Sequence, residues 1–203
     1  MRIVIIDYGM GNIKSIISAL KFIGVDEIIL SNKVEDIINA DKLILPGVGS
    51  FAKAMENIKN LKLDEILKNI VIKEKKPILG ICLGMQLMTK SSDEDGLNDG
   101  MGFISADVRK FATNNLKVPH VGFNQVTIPS QTKLYHGLDN LSDFYFTHSY
   151  QVQTNSVINQ GTCEYGNTFV VSYEEDNIAG VQFHPELSQT NGLKLLKNFV
   201  EKF

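Results

Sequence analysis

Three short apolar segments in the first half of the chain, residues 2–7, 42–45 and 76–81, each run into a glycine-containing turn and then into a stretch with helical periodicity. Strands and helices that alternate in this way form a parallel sheet, because each parallel connection has to cross one face of the sheet. Right-handed crossovers place the turns after such strands at the same edge. The sequence therefore predicts one crevice into which the three turns converge.

The third turn, Gly80-Ile-Cys82-Leu-Gly84, places a cysteine between two glycines at the end of a strand. The amino terminus of the following helix would point at the sulfur, and the positive end of a helix favours the thiolate that nucleophilic chemistry requires. The glycines allow a tight turn and the close approach of a substrate. Cys82 is thus a candidate nucleophile, and the competing interpretation is a buried structural cysteine.

The other two turns carry weaker signals. The turn at Gly9-Met-Gly11 lacks the third glycine of a dinucleotide-binding fingerprint, and Gly47-Val-Gly49 lacks the lysine and hydroxyl residue of a phosphate-binding loop. A glycine-rich turn at residues 47–49 can present a backbone N–H group to an oxyanion. The alternative is a tight connection between a strand and a helix, and both interpretations stay open.

After residue 102 the pattern changes to short strands bounded by turn residues. We predict antiparallel strands over residues 107–111, 124–128, 144–148, 151–154, 161–165, 169–173 and 178–183. Turns are expected at Asn114-Asn115 and at residues 175–177, and a helix over residues 192–203. Earlier in the chain, residues 54–73 have the apolar periodicity of one helix, and residues 91–100 indicate a polar acidic loop.

The composition limits the partners and the location that can be expected. The 203 residues carry a net charge of -3 with lysines and carboxylates interspersed, which argues against binding to the backbone of nucleic acid. No apolar run approaches the roughly twenty residues that a membrane span needs, and two cysteines are few for a secreted protein. We expect a cytoplasmic protein with no nucleic-acid or membrane partner, folded as a single domain over residues 1–203 because the sequence contains no linker.

A catalytic thiol needs a base, and the chain offers four histidines, His120, His136, His148 and His184. The local pattern favours His184, which ends a strand and precedes Pro185, a residue that disfavours helix before it. Residues two apart in an extended chain point to the same side, so Glu186 can orient the imidazole and leave its other nitrogen facing a sulfur. Cys82, His184 and Glu186 form a candidate triad, and the alternative is a surface turn.

Gln86 follows Cys82 by four residues, so both lie on the same face of the predicted helix and Gln86 can line a pocket beside the thiol. The alternative is a polar residue on a helix surface. Neither cysteine has a cysteine or histidine at the spacing of a zinc site. We therefore expect no metal and no cofactor.

These motifs resemble the class I (triad) glutamine amidotransferases. The residues that carry this resemblance are Gly80-Ile-Cys-Leu-Gly-Met-Gln86, Pro46-Gly-Val-Gly49 and Gly180-Val-Gln-Phe-His-Pro-Glu186. Further motifs are similar to those of the glutaminase subunits of imidazole glycerol phosphate synthases, namely Ile6-Asp-Tyr-Gly-Met-Gly-Asn-Ile-Lys-Ser15, Pro119-His-Val-Gly-Phe-Asn124, Tyr145-Phe-Thr-His-Ser-Tyr150 and His184-Pro-Glu-Leu-Ser-Gln189. The resemblance extends from one end of the chain to the other.

The resemblance implies an α/β three-layer sandwich with a central, mostly parallel sheet, a flavodoxin-like core and antiparallel strands in the C-terminal half. It also implies hydrolysis of L-glutamine to glutamate and ammonia through a thioester on Cys82, with His184 as acid and base and Glu186 as its orienting group. The implied oxyanion hole consists of the backbone amides of Val48, Gly49 and Leu83. The implied substrate-binding residues are Gly47, Gln86, Glu94, Ser149 and Tyr150.

The implied partner is a (β/α)8 barrel cyclase subunit, bound as a heterodimer, which uses the ammonia to form imidazole glycerol phosphate and AICAR in histidine biosynthesis. The implied interface includes Asn12, Phe123 and Leu187, and the chain departs from the family at two of these, because Phe123 replaces a usual tryptophan and Leu187 a usual lysine. One alternative is a paralogous glutaminase that supplies ammonia to a sugar-amidating ligase for surface or flagellar glycans. The second is a non-catalytic binding module with the same fold.

Overall fold

The computed structural model describes residues 1–112 and 116–203, so the turn predicted at Asn114-Asn115 lies outside the described residues. The described part forms a mixed sheet flanked by helices. The strands are β1 (Arg2–Ile6), β2 (Glu27–Ser31), β3 (Lys42–Leu45), β4 (Ile78–Ile81), β5 (Ser91–Ser92), β6 (Asn98–Asp99), β7 (Asp107–Lys110), β8 (His120–Thr127), β9 (Leu141–His148), β10 (Tyr150–Gln153), β11 (Gly161–Tyr165), β12 (Asn167–Glu175) and β13 (Ile178–Val181). The helices are α1 (Ile13–Phe22), α2 (Val34–Ile38), α3 (Phe51–Asn60), α4 (Leu63–Leu67), which continues as a π-helical turn (Lys68–Lys73), α5 (Leu83–Leu87), a 3-10 turn (Pro185–Leu187) and α6 (Gln189–Lys202).

The parallel part of the sheet has the strand order β2-β1-β3-β4-β13. Each neighbouring pair in this series is parallel, and Ile3 lies opposite Ile28 on one side and Lys42 on the other. This is the strand order of flavodoxin-like folds, in which sites form outside the carboxyl ends of the strands. The predicted parallel core is therefore confirmed.

Alternate side chains of β1 point to opposite faces of the sheet, as the twofold period of a strand requires. Ile3 and Ile5 belong to the cluster that includes apolar residues of α1 and α6, whereas Val4 and Ile6 belong to the cluster that includes those of α3, α4 and α5. Each of these fully buried side chains contributes about 1.5–3 kcal/mol of hydrophobic stabilisation. Helices on both faces of the sheet confirm the three-layer sandwich.

The antiparallel part of the sheet begins at β12, which pairs with β13 across the turn predicted at residues 175–177. β8 and β9 form the longest ladder, from His120 opposite His148 to Thr127 opposite Leu141. The prediction for residues 178–183 is wrong in part, because β13 is antiparallel to β12 but parallel to β4 on its other side. A strand buried on both faces has no periodic signal that tells the two kinds of pairing apart.

The single helix predicted over residues 54–73 is also wrong. Helix α3 already begins at Phe51 and ends at Asn60, and Lys62 takes a left-handed conformation with φ of 55° before α4 begins. The physical reason lies in the spacing of Leu61 and Leu63, since residues two apart do not share a helix face. The break leaves Leu61 exposed by 42% and lets Leu63 become fully buried.

The polar loop predicted over residues 91–100 contains two short strands, β5 and β6, which pair with each other, and β5 also pairs in parallel with β7. Strands of two residues have no periodicity that a sequence can reveal. The last helix begins at Gln189 rather than at residue 192. Within residues 1–112 and 116–203, no helix is long and apolar enough to cross a membrane.

Candidate active site

The three glycine-containing turns meet at the carboxyl ends of β1, β3 and β4, as predicted. The hydroxyl of Tyr8 donates a buried hydrogen bond of 2.6 Å to the carbonyl of Pro46. A Cβ atom at Gly84 would lie 1.8 Å from the carbonyl oxygen of Leu45, and one at Gly47 would lie 2.5 Å from the Tyr8 hydroxyl. Glycine is therefore required at these two positions because neighbouring turns pack directly on the backbone.

Cys82 occupies the elbow between β4 and α5. Its backbone has φ of 54° and ψ of -111°, a conformation that costs a residue with a side chain about 1–3 kcal/mol. The N–H of Cys82 donates to the carbonyl of Val181 at 2.8 Å, and its carbonyl accepts from the N–H of Gln86 at 3.3 Å. These bonds hold the strained residue, and its side chain lies in the cleft described below.

His184 and Glu186 lie on the turn that follows β13. The Nδ1–H of His184 donates to Oε1 of Glu186 at 2.8 Å, and both side chains are almost completely buried. The Nε2 atom of His184 is buried and has no hydrogen-bond partner among the described residues. The imidazole is therefore fixed in the orientation that the candidate triad requires, with its second nitrogen free.

The electrostatic surroundings of His184 favour its charged form. Burial lowers the pKa of the imidazole, but the neighbouring sulfur of Cys82 and the hydrogen-bonded carboxylate of Glu186 outweigh it and raise the pKa of His184 to about 10. A neighbouring anion stabilises a cation strongly where water is excluded. At neutral pH the geometry thus favours an imidazolium beside the sulfur.

A cleft of about 360 Å³ opens over Cys82 and His184. Most of the predicted site residues line it. The lining residues are Val48, Gly49, Cys82, Leu83, Gln86, Glu94, Pro119, Thr147, His148, Ser149, Tyr150 and His184. Two predicted site residues lie next to the cleft without lining it. Gly47 packs against Tyr8 and Leu83, and Glu186 is hydrogen-bonded to the side of His184 that faces away from the cleft.

The residues predicted for a partner interface lie outside the cleft. Phe123 on β8 is 50% exposed and contacts Tyr145 edge to face with 5.5 Å between ring centroids. Leu187 in the 3-10 turn is 40% exposed. Asn12 precedes α1, and its carbonyl accepts from the N–H of Ile16 without a capping bond from its side chain. These positions leave the apolar side chains of Phe123 and Leu187 accessible.

The three residues predicted to form the oxyanion hole, Val48, Gly49 and Leu83, line the same cleft. Gly49 has φ of 99°, which favours glycine, and Val48 is exposed by 41%. In the part of the chain that the structure describes, no hydrogen bond uses the N–H of Val48 or of Gly49. Leu83 is the first residue of α5, where N–H groups have no partner within the helix. All three amides can therefore donate hydrogen bonds to an external anion.

Glu94 is held at the start of α3. Its carboxylate accepts a hydrogen bond of 2.7 Å from the N–H of Phe51. Burial nevertheless raises the pKa of Glu94 above its usual range. A partly buried carboxylate in a cleft is suited to a positively charged group of a ligand, which would return its pKa toward the ordinary value.

Two site features were missed by sequence reasoning. Gln182 is fully buried, and its Nε2 lies 3.7 Å from Sγ of Cys82. In an extended chain, residues two apart point to the same side. The argument that placed Glu186 beside His184 would therefore also have placed Gln182 on the same side of the chain as His184. His148, counted only as a possible base, lines the cleft instead and has a purely structural set of partners.

The partners of His148 determine its tautomer. Its Nδ1 lies 2.7 Å from the carbonyl of Tyr150 and must donate, so its Nε2 must accept from Nδ1–H of His120 at 3.0 Å. Asn124 in turn donates to Nε2 of His120 at 3.3 Å. Burial lowers the pKa of His148 to about 3 and that of His120 to about 4. Both rings are therefore neutral at pH 7.

The second cysteine differs from Cys82. Cys163 is buried in β11, and burial raises the pKa of its thiol to about 12, which leaves it protonated and unreactive at neutral pH. Both cysteines are free thiols. The described residues contain no group of three or more histidine, cysteine, aspartate or glutamate side chains able to hold a metal ion.

The chain is similar to known proteins over nearly its whole length. Residues 4–203 match the family model described as glutamine amidotransferase class-I. The chain is 49% identical over 199 residues to imidazole glycerol phosphate synthase subunit HisH 1 of Campylobacter jejuni, with 98% of each chain covered. It is 50% identical over 202 residues to subunit HisH 2 of Methanococcus maripaludis, with 98% of this chain and 99% of the relative covered.

The fold is also similar to that of a solved glutamine amidotransferase, with a TM-score of 0.77 and 18% sequence identity, over 98% of this chain and 97% of the other. An identity this low supports the fold alone. The family model and the near full-length relatives define the family more closely. The chain belongs to the class I glutamine amidotransferase family and, within it, to the HisH subunits of imidazole glycerol phosphate synthase.

Proposed function

We propose that this protein is the glutaminase subunit of imidazole glycerol phosphate synthase and acts in histidine biosynthesis. It hydrolyses L-glutamine and passes the ammonia to a cyclase partner. The observation that carries the proposal is the buried hydrogen bond between His184 and Glu186, which leaves the second imidazole nitrogen free in the cleft that contains Cys82. A module without catalysis has no physical need for this arrangement.

The mechanism follows from the charges in the cleft. The sulfur of Cys82 attacks the carboxamide carbon, and the carbonyl electron pair moves to an oxygen that accepts hydrogen bonds from the amides of Val48, Gly49 and Leu83. His184 gives its proton to the nitrogen, and ammonia leaves as the carbonyl re-forms in a thioester. His184 then takes a proton from water, whose oxygen replaces the sulfur and releases glutamate.

The remaining cleft residues hold the substrate. The carboxylate of Glu94 is available to the α-ammonium group of glutamine, whose charge would return the pKa of Glu94 to its usual range. Ser149 and Tyr150 line the same cleft and are available to bind the same glutamine. Gln86 holds the wall behind the sulfur, and Gly47 lets the turn at residues 46–49 pack against Tyr8.

The use of ammonia as a nucleophile implies that a second protein receives it. In neutral water it is mostly protonated and no longer nucleophilic, so a dry passage to another active site preserves it. The proposed partner is a (β/α)8 barrel cyclase, bound as a heterodimer through a surface that includes Asn12, Phe123 and Leu187. Half-exposed apolar side chains at the last two positions support this surface. We also propose that residues 1–203 act as one domain in the cytoplasm.

The relatives' names favour this acceptor over the alternative of a sugar-amidating ligase, because they denote subunits of imidazole glycerol phosphate synthase. A growth assay separates the two acceptors. Together with its own cyclase, the gene should restore growth without histidine to a strain that lacks the subunit. Absence of growth despite well-folded protein would favour the paralogous role.

Purified protein, with the cyclase and its nucleotide ligand, provides the direct test of the chemistry. Wild-type protein should release glutamate and ammonia, whereas Cys82→Ala should release neither and should still bind the cyclase. Cys163→Ala is the matched control, since that thiol is buried away from the cleft, and it should keep wild-type turnover. Glutamate release by Cys82→Ala would contradict the proposed nucleophile.

A further inference from the structure

Gln182 follows β13, and its side chain reaches between the candidate nucleophile and the wall of the cleft. The N–H of its backbone donates to the carbonyl of Val171 at 2.8 Å, and its side chain is fully buried. Its Oε1 accepts a hydrogen bond of 2.8 Å from Nε2 of Gln86. Its Nε2 lies 3.7 Å from Sγ of Cys82, within hydrogen-bonding distance of a sulfur.

The orientation of the Gln182 amide is determined by its neighbours. Gln86 Nε2 also donates to the backbone carbonyl of Tyr150 at 3.3 Å, and a carbonyl can only accept. Gln86 must therefore direct its NH₂ group toward Tyr150 and Gln182. Gln182 then has to offer its oxygen to Gln86 and its NH₂ group to the sulfur. The reverse orientation would place two NH₂ groups against each other.

A buried amide at this position has an energetic consequence. Burying an amide without partners is unfavourable. If the position of Gln182 required packing alone, an apolar side chain would therefore give a more stable protein. A thiolate is a stronger acceptor than a thiol, because hydrogen bonds to charged groups are the stronger ones. The NH₂ group of Gln182 therefore stabilises the anionic sulfur more than the neutral one.

We propose that Gln182 is a further catalytic residue, whose side-chain amide donates a hydrogen bond to the thiolate of Cys82 and holds it in the position of attack. This inference rests on the proposed glutaminase function. Gln182 and His184 are two residues apart and approach the sulfur from the same strand end, so one supplies a fixed dipole and the other a proton. Gln182 exchanges no proton; its amide raises the share of the thiolate and keeps the sulfur directed at the carboxamide carbon.

Two substitutions test this role in the full-length protein. Gln182→Glu keeps an oxygen for Gln86 but puts a carboxylate toward the sulfur, whereas Gln182→Met retains the volume and removes both polar groups. Gln151→Met is the control, because Gln151 is a buried glutamine of β10 opposite Arg109 and does not line the cleft. Folding of each variant is checked by thermal unfolding.

The first readout is the rate at which iodoacetamide alkylates Cys82 as a function of pH, with the modified cysteine identified by mass spectrometry. Both Gln182 variants should need a higher pH than wild type for the same rate, and Gln182→Glu should need the highest. The second readout is glutamine turnover in the complex with the cyclase. We expect kcat to fall by about 10- to 100-fold with little change in KM, since hydrogen bonds to charged groups have this strength.

An alkylation profile equal to that of wild type, or a change confined to KM, would overturn the role of Gln182. If Gln182→Met does not fold, Gln182→Glu decides, and unfolding of both variants would assign the side chain to structure alone and likewise overturn the proposal. Wild-type protein that is alkylated normally at Cys82 but splits no glutamine would instead contradict the proposed function. The two failures are therefore distinguishable.

Discussion

The carboxylate of Glu186 is completely buried, and only one of its oxygens has a hydrogen-bond partner among the described residues. A buried carboxylate with so few partners is unfavourable unless it serves a charged neighbour. That neighbour is His184, whose pKa is raised to about 10 despite the burial that would lower it. Glu186 therefore determines the orientation of the imidazole and, together with Cys82, favours its charged form.

Replacing Glu186 by glutamine should lower turnover of glutamine by about a hundredfold or more, because the imidazole loses the group that orients it. The pKa of His184 should fall, since one of the two contacts that raise it is lost. A raised pKa stabilises the folded protein fully below about pH 6.5 and progressively less up to about pH 10. As the pH rises between these values, the free energy of unfolding measured with urea should therefore decrease less in Glu186→Gln than in wild type.

Glu201→Gln is the control for this prediction, because Glu201 lies on the exposed face of α6 and, within residues 1–112 and 116–203, forms an ion pair with Lys197 alone. It should leave both turnover and the pH dependence of stability unchanged. Equal turnover of Glu186→Gln and wild type would mean that the carboxylate contributes packing alone.

At the scale of elements, the elbow depends on α5 lying directly against the end of β3. The hydroxyl of Tyr173 donates to the carbonyl of Met85 at 2.8 Å and ties α5 to β12. On its other side, α5 approaches β3 so closely that Gly84 touches the carbonyl of Leu45. A helix of five residues has little stability of its own, so these tertiary contacts hold it in place.

Gly84→Ala should lower the free energy of unfolding by at least about 2 kcal/mol, because the added Cβ atom would lie 1.8 Å from a backbone oxygen that cannot rotate away. Gly96→Ala is the comparison, since Gly96 has φ of 108° and open space around it, and backbone strain alone should cost about 1 kcal/mol. Urea unfolding at pH 7 measures both. Equal losses in the two variants would contradict the tight approach of α5 to β3.

Element prediction was reliable where one residue pattern dominates locally. Strands β1, β3 and β4 and their glycine-containing turns follow from short apolar runs and were predicted from them. The break at Lys62 was not predicted, because the residues on either side of it are good helix formers and only the burial of Leu63 requires the change in direction. The parallel partner of β13 was missed for a similar reason, since pairing depends on distant residues.

At the scale of the whole molecule, His120 and His148 connect the antiparallel strands to the cleft. They lie opposite each other on β8 and β9, and His148 donates to the carbonyl of Tyr150 at the start of β10. Every ring nitrogen of the pair has a partner when both rings are neutral, so protonation would place two N–H groups against each other. Folding therefore favours the neutral rings.

Acid should consequently destabilise the protein from about pH 6.5 downward. In the unfolded chain both histidines become protonated near pH 6.5, whereas in the folded protein His120 is protonated only near pH 4 and His148 only near pH 3. Each histidine contributes a slope of about 1.4 kcal/mol per pH unit within its window. Urea unfolding at several pH values should show a shallower slope in His148→Gln. The exposed His136→Gln is the control, and identical slopes in all three proteins would contradict the role of the pair.

The sequence by itself determined the strands β1, β3 and β4 with their glycine-containing turns, the candidate residues Cys82, His184 and Glu186, and the family, because local periodicity and short motifs carry this information. The tertiary structure decided which strands are neighbours, that α5 rests on Leu45, and that Gln182 directs its amide toward Cys82. These features depend on contacts between residues far apart in the chain. No local pattern specifies them, since the direction of a buried amide follows only from partners that folding brings to it.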